Sequence, residues 1–210
     1  MRIAASTILI QPSTLHTKHP IPIIPQPGFY TCSKKVNTSH SFTSVEISGG
    51  IQRILKAWYT GEVRYAFFPG SDKSWFRTAI FKIGQTLAKN GNAVVYHEMA
   101  YDENRDVLKR EEMVQKLEYK IAETLGLETK LPIASLLTES VEDSPPVILI
   151  LLGLRFVQPD GPLNVFLQSI LDSNRYRVLL SGTNRAFPQG RYVSCNIDSL
   201  HQCETRMKLN

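Results

Sequence analysis

The sequence feature that most constrains the fold is an unbroken apolar run at residues 147–152, VILILL. Six residues are too few to cross a bilayer, so the run predicts a β-strand. A strand without a polar face has to be buried on both sides. Such strands belong to parallel sheets that are covered by helices on each face, and we therefore expect an α/β fold.

Strands and helices alternate along much of the remaining chain. Short apolar, β-prone runs predict further strands at residues 62–68, 92–99, 177–181 and 190–196. Apolar residues spaced three and four apart predict helices at residues 48–59, 75–90, 109–125 and 163–171. We also expect a short helix at residues 131–140 and an acidic, Pro-containing loop at residues 142–146. The alternation predicts a mostly parallel five-stranded sheet flanked by helices.

Residues 67–74, FFPGSDKS, lie between a predicted strand and the helix that follows it. A strand, a Gly-containing turn and a helix N-terminus form an anion-binding unit, because backbone N–H groups and the helix dipole favour negative charge there. Lys73 adds a full positive charge. In the phosphate-loop pattern G-x-x-x-x-G-K-[ST], Lys73 and Ser74 match, whereas Phe67 and Asp72 replace the two glycines.

Asp72 is the replacement that least suits a phosphate ligand, because its carboxylate would repel a triphosphate in a partly dry site. The alternative is an ordinary turn in which Asp72 or Ser74 caps the helix. Gly-Ser-x-Lys-Ser sequences are common by chance, so the octapeptide alone leaves both interpretations open.

The order of the segments resembles that of the P-loop ATPases of the AAA+ and STAND families, over roughly residues 48–208. Lys73-Ser74 is similar to the end of a Walker A loop. Residues 147–150 resemble a Walker B strand, and residues 178–185 resemble a sensor strand. Residues 191–200 resemble the fifth strand and the start of the helix after it.

The resemblance implies a bound ATP or ADP with Mg²⁺ in the loop that contains Asp72. It implies that Lys73 holds a β-phosphate, that the backbone of Gly70 and Ser71 cradles it, and that Ser74 reaches the Mg²⁺ ion.

The resemblance also implies sensor roles for Thr183, Asn184 and Arg185. Asn184 would orient a γ-phosphate or a water molecule, and Arg185 would act as an arginine finger in a neighbouring subunit. The alternatives are a polar turn that leaves the sheet at residues 182–184 and an exposed loop side chain at Arg185.

The predicted Walker B strand lacks the carboxylates that the family uses. Leu-Leu-Gly at residues 151–153 stands where an Asp for Mg²⁺ and a Glu for water are expected, and loss of a general base alone removes about 10²–10⁴-fold in rate. Glu98 and Asp160 are candidate replacements. The alternatives are a solvated strand-end carboxylate at Glu98 and a turn residue at Asp160, and we expect His97 at the surface or half buried.

The N-terminal residues 1–44 differ in composition from residues 45–210, which we expect to form one domain. Residues 1–44 contain no acidic residue and are rich in Pro, Ser, Thr and His. This composition predicts a disordered tail. An organelle transit peptide is the alternative. AAA+ relatives carry a helical lid after the fifth strand, and we expect this lid to be incomplete here. Either the lid is absent or supplied by another chain, or the sequence is a fragment of a longer protein.

Composition narrows the compartment and the partners. The three cysteines are unclustered, without metal-ligand spacing, which suits a reducing intracellular compartment. No apolar run of membrane-spanning length occurs. The net charge of +5 permits nucleic-acid contact, but basic residues are spread out, so we do not expect a dedicated nucleic-acid surface.

These observations predict a nucleotide-binding module with degraded Walker motifs, a weak or pseudo-ATPase that acts through conformation, a protein partner or homo-oligomer contacts. A slow but active ATPase is one alternative. A protein-interaction scaffold that keeps the fold and binds no nucleotide is the other.

Overall fold

The computed structural model describes residues 25–32, 44–63, 65–69, 74–102, 108–127, 146–173, 175–182, 190–194 and 204–208. The short helix predicted at residues 131–140 and most of the loop predicted at 142–146 lie outside these ranges.

The described strands form one seven-stranded sheet in the order β1-β3-β4-β5-β2-β6-β7. Their bounds are β1 Gly28–Thr31, β2 Tyr65–Pro69, β3 Ala93–Asp102, β4 Val147–Phe156, β5 Tyr176–Gly182, β6 Gly190–Ser194 and β7 Glu204–Lys208. Strands β1 to β6 pair in parallel, and β7 pairs antiparallel with β6. The five predicted strands are confirmed as the parallel centre of the sheet, in the order β3-β4-β5-β2-β6.

Four helices within the described ranges cover the two faces of the sheet. They are α1 Ser44–Tyr59, α2 Ser74–Lys89, α3 Arg110–Thr124 and α4 Pro162–Asp172. Helices α1 and α2 pack against one face, with Val94 and Ile148, and α3 and α4 pack against the other, with Val95 and Leu149. Successive strand residues point to opposite faces, and both faces are covered at the centre of the sheet. Residues 147–152 of β4 are therefore all buried, which explains the unbroken apolar run.

Helix α3 shows how the apolar spacing of the sequence becomes packing. Leu117, Ile121 and Leu125 are buried against the sheet, and Met113 packs partly against the same cluster. Each fully buried Leu or Ile side chain contributes about 2 kcal/mol of hydrophobic stabilisation. The helix ends before Gly126, which has a φ of 68° that favours glycine.

The flexible tail predicted for residues 1–44 is wrong at Gly28–Thr31, which form the edge strand β1 along β3. Phe29 provides the physical reason, because its ring packs edge-on against Phe81, with 4.9 Å between ring centroids. Gly84 makes room for this ring, since a Cβ atom at Gly84 would lie 2.6 Å from Phe29 Cε2. Aromatic burial therefore attaches to the sheet a strand of only four residues.

Strand β4 extends four residues beyond the predicted end at residue 152. Its register with β5 shifts between Leu151 and Leu154, and Gly153 takes a φ of 81° there. Leu154 then pairs with Gly182. A Cβ atom at Gly182 would lie 1.8 Å from the Leu154 carbonyl oxygen, so this close approach of two backbones requires glycine.

Candidate functional site at the carboxyl edge of the sheet

The order of the strands reverses at β2, and this places a candidate site at the carboxyl edge of the sheet. Strand β2 lies between β5 and β6 in the sheet. The next strand in the chain, β3, lies on the β5 side, with β4 and β5 between it and β2. Helix α2, after β2, covers one face, whereas α4, between β4 and β5, covers the other. In open α/β sheets, ligands bind outside the carboxyl ends of the strands at such a reversal.

Two neighbouring strands end together at this reversal. Phe68 of β2 pairs with Ser181 of β5, and Pro69 pairs with Gly182. Helix α2 begins at Ser74, so only residues 70–73 connect β2 with the helix. A short connection from a buried strand to a helix N-terminus is the backbone arrangement that can bind an anion.

Most predicted nucleotide-binding and sensor residues lie outside the described ranges. These are Gly70, Ser71, Asp72, Lys73, Thr183, Asn184 and Arg185. Ser74 is the first residue of α2, and its side chain is not described. The residues that immediately precede the two segments are described. Pro69 precedes the predicted phosphate loop, Gly182 precedes the predicted sensor segment, and Pro69 pairs with Gly182. The predicted phosphate loop and the predicted sensor segment therefore start from adjacent positions.

Two leucines of β4 occupy the positions where the resembled Walker B strand would present carboxylates. Leu151 is 0% exposed and Leu152 is 2% exposed, and each belongs to the apolar cluster on a different face of the sheet. Between Val147 and Pro159 the sequence has no acidic residue. Residues 147–159 therefore offer no carboxylate to a metal ion or a water molecule.

Asp160 lies in the exposed turn that precedes α4. Two hydrogen bonds hold the residues next to Asp160. Asn164 Nδ2 donates to the Pro159 carbonyl over 2.6 Å, and Arg110 Nη1 donates to Gln158 Oε1 over 3.0 Å. The described contacts place Asp160 in a fixed surface turn beyond the end of β4.

Glu98 lies on β3 and forms an ion pair with Arg77, with 2.7 Å between Oε1 and Nη1. Arg77 is the fourth residue of α2. The pair joins the sheet to the first turns of the helix that follows the predicted phosphate loop. Its side chains are 24% and 42% exposed, so it contributes on the order of 0.5 kcal/mol.

The expectation that His97 lies at the surface or is half buried is wrong, because the residue is only 7% exposed. Its Nδ1 atom is buried without a hydrogen-bond partner among the described residues. Burial, together with a smaller contribution from the charge of Lys120, lowers the pKa of His97 to about 4. The ring is therefore neutral at pH 7.

Cys32 lies beside His97, an arrangement that the sequence analysis missed. The Cys32 backbone N–H donates to the Tyr96 carbonyl over 3.0 Å, continuing the pairing of β1 with β3. Its Sγ atom lies 3.1 Å from Thr124 Oγ1 on α3. Burial raises the pKa of the Cys32 thiol, against smaller lowering contributions from Thr124 and Lys120. Sequence spacing could not reveal this pair, because it depends on the unpredicted strand β1.

Within the described ranges no group of three or more His, Cys, Asp or Glu residues is arranged to hold a metal ion. In those same ranges, no helix has both the length and the apolar character needed to cross a membrane.

Comparison with known proteins adds little to this site. No protein-family model matches the chain, and no curated protein sequence matches it. A chain in a solved structure titled "Structure of Drosophila ORC bound to AT-rich DNA and Cdc6" is similar at 11% identity with a TM-score of 0.33. The similar region covers 67% of this chain and 51% of that chain. A similarity at this level supports no inference about function.

Proposed function

We propose that the chain is a nucleotide-binding module of the AAA+/STAND kind, with degraded Walker motifs and little or no ATPase activity. The observation that carries the proposal is the pairing of Pro69 with Gly182. It starts the predicted phosphate loop and the predicted sensor segment side by side at the strand-order reversal, where ligands of open α/β sheets bind.

In this proposal the phosphates lie at the N-terminus of α2. Backbone N–H groups of Gly70 and Ser71 surround them, Lys73 contacts the β-phosphate, and Ser74 contacts Mg²⁺. Asp72 opposes binding by charge repulsion. Because of that repulsion, we expect affinity in the micromolar range or weaker.

Thr183 and Asn184 complete the site from the β5 side. In this arrangement Asn184 contacts the γ-phosphate or a water molecule, so the sensor segment responds to whether ATP or ADP is bound. Arg185 would contact nucleotide on a neighbouring copy. A partner or another subunit would therefore bind differently according to whether ATP or ADP is present. This response is the proposed output of the module.

Efficient hydrolysis is not part of the proposal, because the described residues offer no suitably placed free carboxylate. Leu151 and Leu152 are buried in the apolar core, Glu98 is engaged by Arg77, and Asp160 lies in a surface turn. Without a general base the rate falls by about 10²–10⁴-fold.

Two alternatives remain as outcomes of the experiment. A slow ATPase would recruit Glu98 or Asp160 for water or metal. A scaffold without nucleotide is favoured over the slow ATPase by the buried leucines at positions 151 and 152 and by Asp72.

The experiment is calorimetric titration of the full chain with ATP and ADP, with and without Mg²⁺. We expect Lys73→Ala to weaken binding by about tenfold or more, since a charge-assisted contact contributes about 1.5–3 kcal/mol. Asp72→Gly should strengthen binding, because it removes the repelling carboxylate. Lys89→Ala is the matched control, since Lys89 is exposed in the last turn of the same helix, and it should leave binding unchanged.

The absence of binding at millimolar nucleotide, or equal affinity of the Lys73→Ala variant, would refute the proposal in favour of the scaffold. Measurable phosphate release that is lost in Glu98→Gln or Asp160→Asn would favour the slow ATPase.

A further inference from the structure

An open groove lies between strand β1 and the last turns of helix α2. It has a volume of about 350 Å³ and is lined by Gly28, Phe29, Gln85, Ala88 and Lys89. The Gly28 N–H donates to the carbonyl of Asn92, the residue before β3, so the groove lies at the amino edge of the sheet. The candidate nucleotide site lies at the opposite edge, and the two sites are therefore independent.

The groove has an apolar floor that continues into the core. Phe29 and Ala88 are only partly buried, yet both pack against the apolar cluster beneath α1 and α2. Gln85 and Lys89, the two polar side chains of the lining, are exposed. Apolar surface rimmed by polar side chains is typical of an interaction site, and this floor favours an occupant that is apolar and uncharged.

The segment that precedes β1 in the chain has this chemistry. Residues 21–24, Ile-Pro-Ile-Ile, contain three isoleucines and no charge. They directly precede Pro25, the first described residue, which is itself half buried. Proline restricts the chain to extended conformations, so such a segment loses little entropy when it docks, and Pro-rich segments commonly dock in grooves that contain an aromatic side chain. Phe29 provides that side chain here.

Chain connectivity places residues 21–24 within reach of the groove. Four residues separate Ile24 from Gly28, which lines the groove, and an extended chain spans at most about 3.6 Å per residue, or about 14 Å in all. Residues 85–89 extend about 6 Å along α2, at 1.5 Å per residue. The Tyr30 hydroxyl donates to the Gln26 carbonyl over 2.9 Å and so holds the connecting residues beside β1. The segment is thus tethered next to the groove, where even weak contacts suffice for binding.

We propose that residues 21–24 dock in the groove between β1 and α2, with their isoleucine side chains on Phe29 and Ala88. Burial of the isoleucines drives the docking. The segment then covers the apolar floor and belongs to the folded domain, which begins before β1. Removal of residues 1–24 would expose this floor.

The test is alkylation of the full chain carrying Ala88→Cys, followed at each cysteine by mass spectrometry of its peptide. Ile23→Asp with Ile24→Asp should speed alkylation of the new thiol by about tenfold or more, because a covered thiol reacts only when the segment undocks. The added carboxylates alone would slow the reaction, since they disfavour a thiolate. Ile8→Asp with Ile10→Asp is the matched control and should leave the rate unchanged.

The native Cys32 serves as the internal control, because it is partly buried against the cluster on the other face of the sheet. Its rate should be the same in every variant. An equal rise at Cys32 would mean that β1 has detached, and this result would overturn the proposal.

Three other results would also overturn the proposal. They are equal rates with and without the substitutions at positions 23 and 24, an equal rise in the control pair, and protection that increases with protein concentration. The last result would assign the groove to a second copy of the chain. If Ala88→Cys does not fold as the parent does by circular dichroism, Gln85→Cys replaces it with the same expected results, because Gln85 is exposed.

Discussion

Replacing His97 with Gln should remove a specific loss of stability at mildly acidic pH. The pKa of His97 is about 4 in the native state, against 6.5 for an unperturbed histidine. Between these values the unfolded chain binds a proton that the native chain does not, so stability falls as the pH decreases from 6.5 to about 4. Above pH 6.5 the ring is neutral in both states and contributes no pH dependence.

The magnitude follows from the two pKa values. Each pH unit between them corresponds to about 1.4 kcal/mol, so the full window corresponds to about 3 kcal/mol of unfolding free energy. This is a large part of the free energy of unfolding of a typical domain, which is roughly 5–15 kcal/mol. The carboxylates that titrate over the same range are common to both chains and cancel in the comparison.

The assay is urea unfolding of the parent chain and of the His97→Gln variant from pH 4 to pH 8. The unfolding free energy of the parent should decrease by about 3 kcal/mol more than that of the variant across the window. Lys120→Gln should raise the native pKa of His97 and so shorten the parent window from its acidic end, because Lys120 is the second cause of the lowered pKa. Parallel pH profiles for the parent and His97→Gln would refute the reasoning.

Two further predictions concern Gly182 and the Arg77–Glu98 ion pair. Gly182→Ala should destabilise the fold by about 3 kcal/mol or more, because its Cβ would overlap the Leu154 carbonyl oxygen, whereas Gly61→Ala, at a φ of 67° in open space, should cost about 1 kcal/mol. Urea unfolding measures both, and equal costs would contradict the steric argument. A double-mutant cycle of Arg77→Ala and Glu98→Ala should give a coupling free energy below about 1 kcal/mol that decreases with salt; a value well above that would mean that the pair is more strongly desolvated than its exposure indicates.

The centre of the sheet could be predicted from the sequence because burial on both faces removes polar residues. The run at residues 147–152 is too short to cross a membrane, and in the fold it forms the part of β4 that is buried on both faces. The edges could not be predicted in this way. Strand β1 has four residues, follows a Pro-rich stretch, and gains its stability from Phe29 packing on α2, a contact that local spacing does not encode.

The candidate site could be predicted only as far as its scaffold. The strand, the short connection and the helix start were recognisable at Pro69 and Ser74, and the pairing of Pro69 with Gly182 is a property of the folded sheet. The Cys32–His97 pair was missed because the two residues are brought together by β1 rather than by proximity in sequence. Chemistry that depends on strand neighbours is visible only once the order of the strands is known.

The burial of Leu151 and Leu152 in β4 explains why a single substitution would not restore hydrolysis under the proposed function. Leu151 points into the apolar cluster under α3 and α4, and Leu152 points into the cluster under α1 and α2. A carboxylate at either position would enter a hydrophobic core, where an unpaired charge is strongly unfavourable. The strand continues past these residues to Phe156, through the bulge at Gly153 and the backbone contact at Gly182. Leu151 and Leu152 are thus part of how β4 is extended and packed, and under the proposed function a base for hydrolysis would have to come from outside this strand.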